Sequence, residues 1–269
     1  MEITLVQGLL LSVMTLIVGL DFFLEAFFIF RPLIVSTLTG IILGDVTLGL
    51  KVGALIELAF AGLTPAGGTQ PPNPVFAGLM GTVLAYTTGS SPEAALGLCL
   101  PFSFLGQYVI LFFYSTFSFF MGKADAAAAK GDTKAIVRIN MTTMGIVSIA
   151  YAILAFLCTY VAQAPMAAFV NALPPVITHG LEIAGGILPA VGFGMLLRVM
   201  MKVKYAPYFI AGFLMACFAD MPNLLPVALL GAVFALIDFF NAKQRKEDIE
   251  EALRNASVNN YGGDDNVGI

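Results

Sequence analysis

Charge is what this sequence has least of. Only 11% of its 269 residues are Asp, Glu, Lys or Arg, against about 25% in a soluble domain, while 59% come from the apolar set and the mean hydropathy is +0.91. A chain with so little polar surface cannot cover itself in water, and it reads as an integral membrane protein. A spanning helix takes about 20 residues, so the apolar material supplies several spans and leaves no length for a soluble catalytic head. Histidine is nearly absent: His179 stands alone, which excludes a histidine-based metal cluster. Cysteine is equally sparse. Cys99, Cys158 and Cys217 each sit singly inside apolar runs, without CxxC spacing or a disulfide set, and such cysteines act as small hydrophobes. No Walker A loop, GxSxG, HExxH or GxGxxG occurs in a credible context. The chain therefore does not hydrolyse ATP itself, although a separate energising subunit is compatible with it, and neither a metal nor a cofactor is expected.

The net charge of −4 describes a tail. Glu247, Asp248, Glu250, Glu251, Asp264 and Asp265 carry much of the acidity, and nucleic acid is not an expected partner. Glu2 occupies the place where a secretory signal carries Lys or Arg, and no small-residue cleavage site follows Leu20, so the first segment is expected to be retained.

Apolar runs occupy 3–20, 22–44, 75–88, 94–121, 139–162, 181–197, 205–219 and 224–240. Several are too short to span, and composition does not separate a tilted span from a hairpin that enters and leaves by one face. The expected fold is an all-α integral membrane protein, a multi-span helical bundle with broken or re-entrant hydrophobic segments. Residues 1–242 form its membrane transport domain, and 243–269 a cytoplasmic C-terminal tail that begins helical and is largely disordered. Three basic clusters orient it: Lys123, Lys130, Lys134 and Arg138; Arg198, Lys202 and Lys204; Lys243, Arg245 and Lys246. Short loops rich in Lys and Arg stay cytoplasmic, and the two apolar runs between successive clusters let the chain go out and come back each time.

Ionisable residues inside apolar segments are costly and point to function. Here they are Asp21, Glu25, Arg31, Asp45, Lys51, Glu57, Glu182 and Asp220. Asp45 follows Leu43-Gly44 as a helix cap would, and Arg31-Pro32 resembles a helix start whose arginine snorkels to the interface. Glu57 has no cap position to explain it, and the nearby Lys51 lies on another face of the same helix. Directly after it, Gly62-Leu-Thr-Pro-Ala-Gly-Gly-Thr-Gln-Pro-Pro-Asn-Pro74 holds four prolines and three glycines without one charge. Such irregular backbone at membrane depth is tolerated only against protein or a water-filled cavity, and broken segments of this kind carry the binding groups of transporters. An external loop stiffened by its prolines accounts for the composition equally well. Thr69, Gln70 and Asn73 are neutral hydrogen bonders suited to an uncharged polyol such as a sugar. A second stretch, Asn171 to Gly186, couples Pro-Pro to polar groups. It makes His179 and Glu182 second-rank candidates, with Glu182 read as a carboxylate in the first turn of a helix, and Asp21 joins them.

Three segments together resemble a known family: Phe30-Arg-Pro-Leu-Ile-Val-Ser-Thr-Leu-Thr-Gly-Ile-Ile-Leu-Gly-Asp45, Glu57-Leu-Ala-Phe-Ala-Gly-Leu-Thr-Pro-Ala-Gly-Gly-Thr-Gln-Pro-Pro-Asn73 and Thr178-His-Gly-Leu-Glu-Ile-Ala-Gly-Gly-Ile-Leu-Pro-Ala-Val-Gly-Phe-Gly194. In that order they are similar to the IIC permease subunit of the mannose/fructose/sorbose family of the bacterial phosphoenolpyruvate-dependent sugar phosphotransferase system, most of all the galactosamine and N-acetylgalactosamine type. The resemblance runs from residue 1 to about residue 245. It implies a non-catalytic permease subunit of the bacterial inner membrane, partnered by a IID membrane subunit in a trimer of IIC–IID heterodimers. Soluble IIA and IIB phosphocarriers would bring the phosphoryl group to the sugar. It places Glu57, Gln70, Asn73 and Thr69 in or beside the sugar site, with Glu25 and Asp45 as supporting residues. Asn73 stands where other members can have an acid. The alternative from a different energetic class is an ion-coupled secondary transporter of a small polar solute, working through Glu57 and Asp21. A third reading makes the chain a scaffold or receptor subunit that binds no sugar.

Overall fold

The structure is a computed structural model that describes residues 2–63, 71–218 and 225–261. Among these residues every regular element is a helix, as hydrocarbon demands when backbone groups must pair within their own segment. Among the described residues five helices are long and apolar enough to cross a membrane, and shorter apolar helices lie at Pro32–Leu43, Pro74–Thr88 and Val203–Phe218. The chain forms two compact units, Met1–Val199 and Met200–Ile269.

In the first unit α1 (Leu5–Leu24) opens with a reciprocal cap, in which the Thr4 hydroxyl accepts from the Gln7 backbone N–H while the Gln7 side chain reaches back to Thr4. The apolar run 22–44 does not form one helix. It breaks after Leu24, where Glu25 takes a left-handed conformation at φ 47°, and resumes as α2 (Pro32–Leu43), started by Pro32 at its first position. Asp21 holds the break together. Its two carboxylate oxygens accept from the backbone N–H groups of Phe27 and Ile29, both at 2.8 Å.

Helix α2 ends at Gly44, whose φ of 90° suits a residue without Cβ, and α3 (Val46–Phe60) begins at once under the Asp45 cap, Oδ1 accepting from the Leu48 N–H at 2.9 Å. Helices of 12 and 15 residues reach only about 18 and 22 Å, short of the roughly 30 Å hydrocarbon core. They pair as an antiparallel hairpin that fits the re-entrant expectation. Glycine permits the pairing: a Cβ on Gly49 would stand 2.4 Å from the Ser36 carbonyl oxygen and 3.0 Å from the Cα of Gly40.

Helix α4 (Pro74–Thr88) is short and almost wholly enclosed, with buried residues from Val75 through Ala85. On one side it packs with Leu11, Val18 and Tyr151 of α1 and α6. On the other it packs with Val52, Ile56, Leu96 and Cys99 of α3 and α5. Helices α5 (Pro92–Ala129) and α6 (Thr133–Phe156) form a long pair whose turn, at Lys130 and Gly131, carries the first basic cluster. A π-helical turn at Leu157–Val161 follows α6, then α7 (Gln163–Asn171) and α8 (Pro175–Met200). The Pro-Pro stretch is thus less irregular than its composition suggests. Pro175 opens α8 and the helix runs straight through His179 and Glu182, because proline is tolerated in a first turn.

In the second unit a 3₁₀ turn (Val203–Tyr205) leads into α9 (Ala206–Phe218), and α10 (Leu225–Tyr261) follows. Tyr208 of α9 stacks on Phe234 of α10 at 5.7 Å. Helix α10 continues to Tyr261, with Lys243–Glu247 and Lys246–Glu250 pairs at helical spacing along its exposed extension.

Candidate functional site

Thr69, Gln70 and Asp220 lie outside the described residues. The other candidates fall into three places. At the open end of the α2–α3 hairpin, Glu57 is not isolated. The Arg31 guanidinium closes on its Oε1, with Nε donating at 2.7 Å and a second, shorter bond from Nη2, and the Leu33 N–H donates to Oε2 at 3.2 Å. The reading of Arg31 as a snorkelling anchor is therefore replaced by a specific role. It compensates a carboxylate within an apolar helix, with both side chains only part-buried. Lys51, the cation considered for Glu57 from sequence, is exposed.

At the other end of that segment Asn73 is buried and heavily engaged. Its Oδ1 caps α4 by accepting from the N–H groups of Val75 at 3.0 Å and Phe76 at 3.1 Å, and its Nδ2 donates to the Tyr151 hydroxyl at 2.5 Å. Its backbone is fixed to α5 in both directions: the Asn73 N–H donates to the Ser103 carbonyl at 3.0 Å, and the Ser103 hydroxyl donates to the Asn73 carbonyl at 2.8 Å. Tyr151 is itself held edge-on by Phe76, ring centroids 5.1 Å apart. Helices α2 and α4 are tied together where the Ser36 hydroxyl donates to the Gly78 carbonyl at 3.1 Å.

Two of the remaining candidates bond to backbone groups. Asp45 is the α3 cap and Asp21 holds the α1–α2 break, while Glu25 ends α1 with its side chain exposed. Glu182 sits in the third turn of α8 rather than the first. It accepts from the Ser91 hydroxyl at 3.2 Å and lies 3.6 Å from His179 Nδ1. Among the described residues no three His, Cys, Asp or Glu side chains converge on a metal site. Tyr151 and Ser103 were not singled out from sequence, because nothing in an apolar helix marks which hydroxyl meets a distant amide. Gln163 was missed likewise: its side-chain amide grips the backbone of Ile3 with bonds of 2.7 and 3.0 Å.

A multi-span bundle that buries a short broken-helix core, with a charge-compensated carboxylate beside an uncharged Pro/Gly segment, defines a polytopic membrane carrier. Residues 5–237 match the family described as the PTS system sorbose-specific IIC component, and the chain belongs to that family of phosphotransferase permease subunits. It is 63% identical to the N-acetylgalactosamine permease IIC component 1 of Escherichia coli, over 91% of this chain and 92% of that one. Among solved structures it resembles one titled only as a membrane protein, at TM-score 0.79 and 30% identity, covering 88% of this chain and 96% of the other. It also resembles the mannose transporter ManYZ solved in complex with a microcin, at TM-score 0.55 and 30% identity, covering 89% and 96%.

Proposed function

We propose that this chain is the sugar-translocating subunit of a phosphoenolpyruvate-dependent phosphotransferase complex in the bacterial inner membrane. It imports N-acetylgalactosamine or galactosamine, and a IIB partner phosphorylates the sugar as it leaves the membrane site. The observation that carries this reading is the near-full-length likeness to an N-acetylgalactosamine permease component. The local geometry agrees with it. Glu57 is already neutralised by Arg31 and Asp21 is spent on two backbone N–H groups. Both carboxylates thus have partners within the protein, an arrangement that agrees with a carrier energised by phosphoryl transfer on a partner protein.

The sugar site lies between the two anchored ends of the Pro/Gly segment. Glu57 Oε2, with one backbone donor, keeps capacity to accept from a sugar hydroxyl. Thr69 and Gln70 supply the neutral groups, and Asn73 holds the end of the segment while Glu25 and Asp45 support the neighbouring turns. The partners are a IID membrane subunit, assembled with this chain as a trimer of heterodimers, and soluble IIA and IIB phosphocarriers. Uptake of labelled sugar by the intact complex tests the site. Loss of uptake in Glu57→Gln and Gln70→Ala is expected, and unchanged uptake in both would remove the sugar from this place.

A further inference from the structure

Helices α5 and α8 meet and then part. Their backbones touch where a Cβ on Gly185 would fall 2.0 Å from the Glu93 carbonyl oxygen, and four residues along α5 they are still close, a Cβ on Gly97 falling 3.1 Å from both the side chain and the carbonyl oxygen of Leu181. Four residues further, Pro101 interrupts the α5 hydrogen-bond ladder. The gap that opens is a cavity of about 340 Å³ closed on its third side by α7. Its floor is apolar and buried, formed by Leu84 and Leu98 with Phe102 beside them. Its mouth is flanked by Phe169 and Ile177, which are 65% and 47% exposed and, on a membrane-embedded bundle, face lipid.

The geometry points to this cavity as a binding site for one hydrocarbon chain of a membrane phospholipid. No sugar suits a wall without hydrogen-bonding side chains, and an apolar cavity of this kind stays dry and takes apolar ligands. An α-helix with its side chains is about 10–12 Å across, whereas a linear alkyl chain is only about one methylene wide and so enters a narrow apolar cleft of about 340 Å³. The solvent at the mouth is itself made of such chains. Filling the gap supplies the van der Waals partners that its lining otherwise lacks. No charged side chain is among the lining residues, and Glu182, next in sequence to the lining Leu181, is bonded to Ser91, so the site makes no demand on a headgroup. The site stands apart from Glu57 and the Pro/Gly segment, and its test is independent of sugar transport.

The sequence contains no tryptophan, so Phe102→Trp places a single emitter in the cavity of the full-length chain. In phosphatidylcholine vesicles with a rising fraction of phospholipid brominated in mid-chain, its emission is expected to fall along a saturating curve. Half-quenching should need severalfold less brominated lipid than Phe112→Trp, a reporter on the exposed face of α5, whose quenching tracks bulk composition. Adding Leu173→Phe, or Met166→Phe if that variant fails to fold, fills the cavity and should abolish the saturating component while leaving the Phe112→Trp response unchanged. Proportional quenching of both reporters, or no quenching at Phe102→Trp, overturns the proposal. So does saturating quenching that survives both filling variants. Loss of the component when the membrane partner subunit is co-purified assigns the cavity to a partner side chain, and likewise overturns it.

Discussion

Arg31 and Glu57, 26 residues apart in sequence, form one charge-compensated unit at the open end of the α2–α3 hairpin, with the Leu33 N–H donating to the second carboxylate oxygen. Removing either charge leaves the other part-buried without its partner. Arg31→Ala and Glu57→Gln should each lower stability by about 1–3 kcal/mol. The double variant should cost clearly less than the two single losses added together, a coupling of about 0.5–3 kcal/mol. Thermal unfolding of the four proteins in detergent measures it, and strict additivity would mean that the pair contributes nothing as a pair.

The same unit affects selectivity. Arg31→Gln frees the Glu57 negative charge, which then attracts a protonated amine. The ratio of KM for galactosamine to KM for N-acetylgalactosamine should fall in that variant relative to the parent. Competition between the two labelled sugars in cells reports the ratio. An unchanged ratio places Glu57 away from the 2-amino position.

Asn73 fixes the far end of the Pro/Gly segment. Asn73→Ala removes a helix cap worth about 1 kcal/mol and also orphans the Tyr151 hydroxyl, whereas Tyr151→Phe removes only the second interaction, about 1 kcal/mol. The expected order of melting temperatures is parent, Tyr151→Phe, then Asn73→Ala. Equal losses in the two variants would show that the cap itself is dispensable.

Glycines in the first unit serve different ends, and alanine separates them. Gly49→Ala puts a Cβ against the Ser36 carbonyl and should destabilise by about 3 kcal/mol, the upper range of overpacking. Gly145→Ala, in open space along α6, should stabilise by about 0.5–1 kcal/mol. Denaturation of the two variants side by side checks both signs.

Much of this was legible in the residues because hydrocarbon leaves the chain few options. Apolar runs located most of the helices and Gly44-Asp45 read correctly as an end and a new cap, while composition left open whether the short segments span or form a hairpin. The break inside 22–44 was hidden, since Asp21 looks like a buried functional acid until its two backbone partners are seen. Arg31 could have been matched to Glu57: both lie at nearly equal distances from the Gly44-Asp45 turn, so an antiparallel hairpin sets them opposite one another. Tyr151 could not be found this way. Its partner is 78 residues away, and only tertiary packing brings α6 to the end of α4. The helical run through His179 was masked by Pro-Pro, which breaks a helix in its interior but begins one at its first turn.

The central claim is group translocation. The most direct measurement supplies labelled N-acetylgalactosamine and galactosamine to cells that lack this chain and then regain it together with its IIB and IID partners, and identifies the sugar inside. The account predicts that uptake returns with the chain and that the internal product is the sugar phosphate, with no response to collapse of the ion gradients. Free sugar inside, accumulated in proportion to a proton or sodium gradient, would contradict it and make Glu57 an ion site.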